Sequence, residues 1–390
     1  MVRPGTALGP DSNSQRQMEI NPAFRLEGVS RNRRDLIGHC REIAAAAGEP
    51  AWKREVCLFV VELLENPKEP VLQKTSGTTG DPTIHSLERE AMEASARMTL
   101  RHFGLRPGDS VLLCLPVRYV AGKMIVVRAL VGGLDLHWTE PSSRPMKDFT
   151  GKVSFASMVP LQARESILHG DPLERTGILL LGGGEVDPGL REDLKQLVRP
   201  AVCESFAMTE TYTHFALRQI NGKDPDPLFR SMAGVSLDRD ERGCLVVEVP
   251  GVTRGQVVTS DLVELHPDGQ HFRWLGRYDH VISSGGIKIL PEAVEEKIRK
   301  LTGEECLILP EPDPGLGQRL VLLVETGKKT RTDQQVEPPF DEKNWAQLLK
   351  NHLQNYEVPR RIIRVEEIPR NASFKPDRVA ARRLFLEGKD

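Results

Sequence analysis

The sequence predicts an α/β protein with a large N-terminal domain and a small α+β C-terminal domain. Between Val71 and about Val202, short apolar runs alternate with longer amphipathic runs. This pattern indicates βαβ units, and so mostly parallel sheets covered by helices. After Pro227 the apolar runs are short and bounded by Gly, Pro and Asp, which is typical of an additional antiparallel β unit. Beyond Asp279 a second, smaller set of helix-like and strand-like runs follows.

The individual runs have the spacing of helices and strands. Helices are predicted where apolar residues recur three and four positions apart, and strands where a short apolar run stands between turn residues. In the large domain we expect helices at 34–47, 52–64, 87–103, 124–130 and 190–198, and strands at 111–115, 153–156, 178–181 and 201–203. In the β unit we expect strands at 244–249, 256–258, 262–265 and 271–274. In the C-terminal domain we expect strands at 281–282, 306–309, 320–324 and 362–365, and helices at 291–300, 342–354 and 377–386.

Length and composition describe an enzyme-sized protein. The 390 residues divide into a flexible Gly/Pro/Ser-rich tail at 1–28, a large domain at 29–278 and a C-terminal domain at 279–390. The formal net charge of −2 gives no field that would attract nucleic acid or anionic lipid. The chain has no apolar run near the roughly 18 residues of a membrane span. It also lacks a hydrophobic signal core and a CxxC pair, so we expect a cytoplasmic protein with small-molecule partners, and leave homo-oligomerisation open.

The segment from Thr75 to Pro82 is the most informative one in the chain. Hydroxyls and backbone N–H groups are the neutral donors that bind polyphosphate, and glycines let a ligand approach the backbone closely. An apolar run precedes the segment and a helix-like run follows it, so we expect a loop that joins a strand to a helix and binds a nucleoside triphosphate. A solvated turn is the alternative, since the Gly-Lys-Ser/Thr ending of a Walker loop is missing. The candidate ligands are Thr75, Ser76, Gly77, Thr78, Thr79 and Gly80.

Two further segments follow predicted parallel strands. Gly182-Gly183-Gly184 ends the strand at 178–181, where open α/β sheets bind ligands and where glycines let a flat ring lie on the backbone; a flexible turn is the alternative. The next strand is followed by Ser-Phe-Ala-Met-Thr-Glu-Thr. Here Phe206 suits stacking on a purine, Thr209 a bond to a phosphate oxygen and Glu210 the coordination of Mg²⁺. A helix N-terminus is the alternative, because Thr and Glu are also favoured there.

Later segments place charged residues or glycines where a ligand would fit. Asp261 lies between two predicted strands, where a carboxylate suits a ribose diol but also a tight turn. Arg277 and Asp279 stand at the predicted domain boundary and are followed by Gly285-Gly286, which suits a ligand clamp beside a hinge. Lys375 lies in a polar, turn-rich loop, where a solvated lysine is the alternative.

In this order and spacing, the segments from Val71 to Arg378 resemble the adenylate-forming superfamily of acyl-CoA synthetases, luciferases and peptide-synthetase adenylation domains. The resemblance implies a large domain, a small mobile C-terminal lid and an ATP-dependent ligase with two half-reactions. A carboxylate first attacks the α-phosphorus of ATP, which gives an acyl-adenylate and pyrophosphate. A thiol, usually that of CoA, then displaces AMP. The implied cofactors are ATP, Mg²⁺ and CoA.

The resemblance also implies how the nucleotide is held. Hydroxyl side chains contact the phosphates, a carboxylate holds Mg²⁺, a ring and a glycine turn enclose adenine, and an Asp–Arg pair binds ribose. The resemblance assigns the phosphate contacts to Ser76, Thr78, Thr79 and Thr209, and Mg²⁺ to Glu210. It assigns adenine to Phe206 with Gly182–Gly184, and ribose to Asp261 with Arg277.

For the lid, the resemblance implies two poses. Lys375 contacts the α-phosphate and the bridging oxygen only in the adenylation pose, and is catalytic there together with Thr209 and Glu210. The lid then rotates about Asp279 and brings Gly285-Gly286 to the pantetheine tunnel.

Within the superfamily, the segment Leu115–Leu130 is similar to the corresponding region of the compact o-succinylbenzoate–CoA ligases of menaquinone synthesis. The short chain agrees with this, since the phosphate loop begins as early as Thr75. That substrate is a dianion, and one of its carboxylates survives the reaction. Tyr119 would line the acyl pocket, and Lys123 and Arg128 would pair with the surviving carboxylate. A solvated helix face is the alternative, more for Lys123 than for Arg128, which stands among apolar residues.

The sequence departs from the family pattern at four places. Thr83 replaces a frequent Lys, Tyr119 a common His, Ala207 a frequent Gly, and Phe374 the Gly that normally precedes the lid lysine. Two rival hypotheses remain. One is another aryl– or fatty acyl–CoA ligase with the same core, which a longer, uncharged pocket would favour. The other, motivated by Thr83 and Phe374, is a non-catalytic nucleotide-binding relative.

Overall fold

The structure is a computed structural model and describes residues 18–66, 69–75, 83–223, 225–325, 342–370 and 376–387. Within these ranges no helix is both long and apolar enough to cross a membrane. The helices are α1 (Arg33–Ala45), α2 (Ala51–Glu65), α3 (Arg89–Phe103), α4 (Val120–Gly132), α5 (Pro160–Leu168), α6 (Pro188–Lys195), α7 (Pro291–Thr302), α8 (Glu342–His352) and α9 (Arg378–Arg382).

The strands belong to three sheets. In chain order they are β1 (Arg25–Leu26), β2 (Val29–Ser30), β3 (Val71–Thr75), β4 (Thr83–Leu87), β5 (Ser110–Leu113), β6 (Asp135–Trp138), β7 (Val153–Met158), β8 (Thr176–Leu181), β9 (Ala201–Ala207), β10 (His214–Gln219), β11 (Phe229–Ser231), β12 (Ser236–Arg239), β13 (Cys244–Glu248), β14 (Val257–Leu265), β15 (His271–Arg277), β16 (Ile282–Ser284), β17 (Ile287–Ile289), β18 (Cys306–Asp313), β19 (Gly317–Glu325) and β20 (Arg361–Val365).

The predicted helices form close to their expected bounds, for identifiable local reasons. The Asn32 side chain caps α1 by accepting a hydrogen bond from the backbone N–H of Asp35 at 3.0 Å. Gly104 ends α3 in the left-handed conformation, with φ of 65°. Apart from Lys123 and Arg128, helix α4 is apolar on all sides, and it is buried from Gly122 to Gly132, so it forms the centre of the large domain.

The main sheet has 13 strands in the order β12-β13-β14-β15-β11-β10-β9-β8-β7-β5-β6-β1-β2. Strands β9, β8, β7, β5, β6 and β1 are parallel neighbours, as the alternation of strands and helices predicted. The antiparallel β unit is continuous with this sheet, because β10 pairs with β9 on one side and with β11 on the other. The predicted α/β fold class is therefore confirmed. The parallel strands and the antiparallel β unit belong to one continuous sheet.

The predicted flexible tail at 1–28 is corrected for residues 18–28. Met18, Phe24 and Leu26 are each at most 2% exposed and belong to the main core. Strand β1 extends the sheet by pairing in parallel with β6. Burial of these three apolar side chains offsets the entropy lost on ordering the segment, which a composition average over 28 residues conceals. Residues 1–17 lie outside the described part of the chain.

Two predicted connections are also corrected. The Thr/Ser/Gly segment does not join a strand to a helix, because β3 and β4 pair antiparallel on either side of it and α3 begins only at Arg89. Residues 259–261 do not separate two strands, because they lie inside the single strand β14. There a register irregularity between Leu262 and Val263 bends the strand, and this explains why the apolar pattern is interrupted.

The C-terminal unit is a separate small α+β sheet in the order β17-β16-β19-β18, with β20 parallel to β19. Alternate residues of β18 and β19 face two cores, one shared with α7 and α8 and the other with α9. The predicted boundary at 278/279 falls in the 3₁₀ turn Tyr278–His280 that connects the two sheets. The units touch closely there, since a Cβ on Gly276 would lie 2.7 Å from Oε2 of Glu292 in α7.

Candidate functional site

The carboxyl ends of β7, β8 and β9 meet at one edge of the parallel sheet, where Leu181 pairs with both Met158 and Glu204. The glycine turn lies directly beyond β8, and the Ser205 hydroxyl donates a hydrogen bond to the Leu181 carbonyl at 2.9 Å. A Cβ on Gly182 would lie 2.5 Å from that hydroxyl oxygen, and Gly183 has φ of +80°. The structure therefore brings together two of the predicted segments, and the close approach requires glycine.

A buried carboxylate behind this edge fixes the turn in place. Glu204 of β9 is 3% exposed and bonds Arg191 at 2.5 Å and Arg218 at 2.8 Å. Its other oxygen accepts from the backbone N–H of Val186, just after the glycines, at 3.3 Å. Sequence reasoning missed Glu204, although a Glu inside an apolar strand is an available signal.

We expect Glu204→Gln to lower the free energy of unfolding by about 2–3 kcal/mol, because two cations would lose their shared anion. The effect lies toward the lower end for a buried pair, since the Arg191 and Arg218 side chains are 19% and 20% exposed. Urea denaturation measures it. The matched control is Glu192→Gln, which removes a surface ion pair with Lys195. The Glu192 and Lys195 side chains are 65% and 37% exposed, so losing this pair should change the free energy of unfolding by less than about 1 kcal/mol. Equal effects of the two substitutions would contradict this role of Glu204.

The end of β9 carries the predicted purine and phosphate contacts. Phe206 is half-buried and meets the rings of Phe215, Phe229 and Phe272 edge to face, with centroids 5.2–5.7 Å apart. Three aromatic partners hold the ring rigidly, which a stacking platform needs. Thr209 and Glu210 lie in the 3₁₀ turn Thr209–Thr211, and Glu210 is exposed.

Tyr212 ties this turn to the hairpin β3–β4. Its backbone is left-handed, with φ of 64°, and its hydroxyl accepts a hydrogen bond from the backbone N–H of Glu88 at 2.9 Å. Glu88 directly follows β4, the strand that returns from the predicted phosphate loop. The Thr209–Glu210 turn and the hairpin are thus neighbours in the fold. A tyrosine with positive φ is strained, and nothing in the sequence predicted it.

The predicted ribose ligands lie opposite each other on β14 and β15, where Asp261 pairs with Arg277. Asp261 accepts a hydrogen bond from Trp274 Nε1 at 3.0 Å. Arg277 bonds both carboxylate oxygens of Asp279, at 2.9 and 2.7 Å. This bidentate bond raises the pKa of Arg277; partial burial raises the pKa of Asp279, but the bond to Arg277 outweighs it and leaves that pKa lowered. Arg277, predicted as part of the ligand clamp, and Asp279, predicted as the hinge, therefore form one ion pair at the domain boundary.

The remaining lid residues are only partly described. Gly285 and Gly286 form the turn between β16 and β17, with φ of 58° and 82°. The main-chain N–H of Gly285 donates to the Leu316 carbonyl at 2.9 Å. Lys375 and the departure at Phe374 lie outside the described residues, as do Ser76, Gly77, Thr78, Thr79 and Gly80. Thr75 and Thr83 end the flanking strands, and only their backbones are described.

Helix α4 places the predicted acid-binding residues. Tyr119 is its N-cap residue and is half-buried. The first turn is packed tightly against the preceding loop, since a Cβ on Gly122 would overlap the Pro116 carbonyl oxygen. Lys123 is 8% exposed and donates to Oε1 of Gln73 in β3 at 2.9 Å. The structure thus directs this ammonium to the hairpin.

Arg128 is a buried cation without a counter-ion among the described residues. It is 2% exposed, and its Nε has no hydrogen-bond partner. Burial lowers its pKa to about 9, with no compensating acidic neighbour. His214 lies near it; burial, and then the charge of Arg128, lower the pKa of His214 well below its ordinary value. An unpaired guanidinium surrounded by protein is destabilising unless an anion completes the site.

These features define an enzyme class, and comparison with known proteins agrees. The AMP-binding enzyme family matches residues 49–255, more than half of the chain, so the chain belongs to that family. Its fold is that of an acyl-CoA synthetase (AMP-forming)/AMP-acid ligase II-like protein from Dyadobacter fermentans, which is 31% identical with a TM-score of 0.57. The match covers 88% of this chain and 97% of that one. The prediction of an adenylate-forming enzyme is confirmed.

More specific similarities point to one subgroup. A 2-succinylbenzoate–CoA ligase from Listeria monocytogenes is 29% identical over 353 residues, which cover 81% of this chain and 71% of that protein. The o-succinylbenzoate CoA synthetase from Bacillus subtilis, solved with the acyl-adenylate intermediate OSB-AMP, is 21% identical with a TM-score of 0.64. That match covers 79% of this chain and 68% of the other, and at this identity it supports the fold alone.

Proposed function

We propose that this enzyme is an AMP-forming acid–CoA ligase that activates o-succinylbenzoate in menaquinone synthesis. The observation that carries the proposal is Arg128, a buried guanidinium with no anion among the described residues. A dianionic acid supplies the missing charge with the carboxylate that does not react. The similarity to 2-succinylbenzoate–CoA ligases supports the same substrate.

The first half-reaction needs positioning more than acid–base chemistry. The reacting carboxylate is itself the nucleophile, so catalysis consists of alignment and of neutralising charge on the α-phosphoryl group. Thr209 would bind that group, and Ser76, Thr78 and Thr79 would bind the β- and γ-phosphates. In support, the hairpin β3–β4, whose strands flank these three residues in the sequence, is joined to the Thr209 turn by the hydrogen bond between Glu88 and Tyr212. Lys375 would add a cation in this pose.

Mg²⁺ fits the exposed carboxylate of Glu210. Mg²⁺ sites in nucleotide enzymes use one or two carboxylates together with phosphate oxygens and water. A group of three possible metal ligands among the described residues, His266, Asp268 and His271, lies elsewhere, on the β14–β15 hairpin. Bound at Glu210, the ion would neutralise phosphate charge.

The nucleoside would lie across the edge of the sheet. The Gly182–Gly184 turn and Phe206 would enclose adenine, since the turn exposes backbone and the ring is held by aromatic neighbours. Asp261 would accept hydrogen bonds from the ribose hydroxyls. The guanidinium N–H groups of Arg277 would donate both to ribose and to Asp279.

The second half-reaction would follow a rotation of the C-terminal domain. Asp279 lies in the short 3₁₀ connection between the two sheets, and we propose it as the hinge. The Gly285-Gly286 turn would then face the pantetheine of CoA, where two glycines leave room for a narrow chain.

Asp279→Pro is expected to reduce CoA-ester output while acyl-AMP accumulates, because proline fixes φ near −65° and removes a torsion that the rotation needs. Rapid-quench analysis of acyl-AMP and CoA ester measures both. Asp279→Asn is the control, since it breaks the ion pair with Arg277 but leaves the torsion free. Unchanged steady-state CoA-ester production in Asp279→Pro would place the hinge elsewhere.

ATP–pyrophosphate exchange tests whether the chain catalyses adenylation at all. With o-succinylbenzoate present, exchange of labelled pyrophosphate into ATP is expected, and it should require Mg²⁺. No exchange with any aryl or alkyl acid would favour a non-catalytic nucleotide-binding relative. Exchange only with other acids would favour a different acyl–CoA ligase.

A further inference from the structure

We propose that Lys123 is a positioning residue for ATP: it holds the hairpin β3–β4, whose two strands flank residues 76–82 in the sequence, against helix α4, the helix that we propose binds the acid. This replaces the acid contact suggested by the sequence and rests on the proposed function. The observation is the hydrogen bond from Lys123 Nζ to Gln73 Oε1, at 2.9 Å, between residues 50 positions apart.

The contact is buried and its direction is fixed. Gln73 is 2% exposed, and its Nε2 donates to the Arg118 carbonyl at 2.9 Å. An ammonium only donates and a carbonyl only accepts, so the Gln73 amide has one orientation that satisfies both. The two ends of the amide therefore bind α4 itself, through Lys123, and the segment that leads into it, through Arg118.

Among the described strands, the hairpin pairs with no third strand. It is a two-stranded sheet outside the hydrogen-bond ladders of the main sheet, and such hairpins are marginal alone. Its base is anchored by Val71 and Leu87, which are 0% and 1% exposed. Nearer the loop, Leu72 and Ile84 are 61% and 59% exposed, whereas Gln73 is buried. Gln73 thus fixes the inner face of the hairpin on the way to the loop.

The Lys123 ammonium is buried and makes its hydrogen bond to Gln73 inside the protein, not an ion pair at the surface. Burial lowers the pKa of Lys123, partly opposed by the charge of Glu62, and the Nζ lies 5.7 Å from the centre of the Phe59 ring. A charged donor strengthens the bond to the neutral amide. Arg128 lies five residues further along α4, so one rigid helix would contact both the hairpin β3–β4 and the acid.

Lys123→Met is the direct test, since methionine keeps the length and packs in an apolar site. In ATP–pyrophosphate exchange we expect its KM for ATP to rise about tenfold, with less than about a twofold change in the KM for the acid. Gln73→Met should raise the KM for ATP at least as much, because it also removes the hydrogen bond to the Arg118 carbonyl. The double variant should be no worse than Gln73→Met alone, because the bond between the two side chains is already lost in that variant. Thioester formation from supplied acyl-adenylate should not change.

The matched control is Lys53→Met. Lys53 also lies on a helix, with its Nζ 2.9 Å from Glu49 and 5.8 Å from the centre of the Trp138 ring, but it does not bond the hairpin. Its loss should leave both KM values unchanged. A rise in acid KM alone for Lys123→Met, additive effects of the two substitutions, or no change in either KM would overturn the inference.

A second measurement separates this inference from the proposed function. Hydrogen–deuterium exchange of the amides in 69–90 should be faster in Lys123→Met and Gln73→Met than in the wild type or Lys53→Met. This readout needs no turnover. If the wild type adenylates no acid, the function fails while faster hairpin exchange still supports the contact; unchanged exchange rejects the contact, whatever the activity.

Discussion

Lys375→Ala is expected to abolish adenylate formation and to leave thioester formation from supplied acyl-adenylate largely intact. The lost contact would be made only in the transition state of the first step, so the rate should fall by about 10²–10³, or about 2.7–4 kcal/mol, by analogy with the loss of an oxyanion donor. ATP–pyrophosphate exchange measures the first step, and CoA-ester formation from synthetic acyl-AMP measures the second.

The described residues that flank 371–375 are held by specific contacts. Arg370 and Pro376 form an isolated β-bridge. Arg378 bonds Glu292 at 3.1 Å and Glu295 at 2.8 Å, which anchors the following helix to α7. Lys300→Ala is a suitable control, because Lys300 is 61% exposed and pairs with Glu296 on the surface of the same domain. Equal loss of both half-reactions in Lys375→Ala would contradict the two-pose mechanism.

The second large effect is expected at Arg128. Arg128→Met should raise the apparent KM for o-succinylbenzoate by about tenfold or more, because about 1.4 kcal/mol is one decade and a charge-assisted bond can exceed that. The KM for ATP should change much less. The preference for o-succinylbenzoate over its monoacid analogues should narrow, since a buried cation that lacks its anion penalises them in the wild type.

The same substitution should not destabilise the protein. In the free enzyme the guanidinium is buried without an anion among the described residues, so an apolar side chain of similar length should leave the free energy of unfolding equal or higher. Arg128→Lys is the control, since it keeps a charge but loses the planar fork. Wild-type selectivity in Arg128→Met, or a large loss of stability with unchanged KM, would remove Arg128 from the acyl pocket.

Local patterns predicted most of the fold. The periodicity of α1, α2 and α3 and the apolar runs of β5, β7 and β8 each depend on one segment and its burial, so the sequence was sufficient. The hairpin around the Thr/Ser/Gly segment was missed because β4 reads Thr-Ile-His-Ser-Leu, with Ile84 outward and exposed. The ordered stretch 18–28 was missed because its pairing partner, β6, is more than 100 residues away.

The site was predictable as a set of segments but not as a set of contacts. Asp279 was expected at the boundary, but its ion pair with Arg277 follows from the 3₁₀ turn that brings two neighbouring side chains together. The link from Lys123 to Gln73 joins elements that only the folded chain places side by side. The strained Tyr212 has no sequence signal, since its φ is imposed by tertiary contacts.

Formation of CoA esters from a panel of acids tests the central claim most directly. The purified wild-type chain, with ATP, Mg²⁺ and CoA, should form a thioester and AMP from o-succinylbenzoate with a higher kcat/KM than from benzoate, its monoacid analogues or fatty acids. A higher kcat/KM for benzoate or a fatty acid, or no thioester from o-succinylbenzoate, would contradict the assignment.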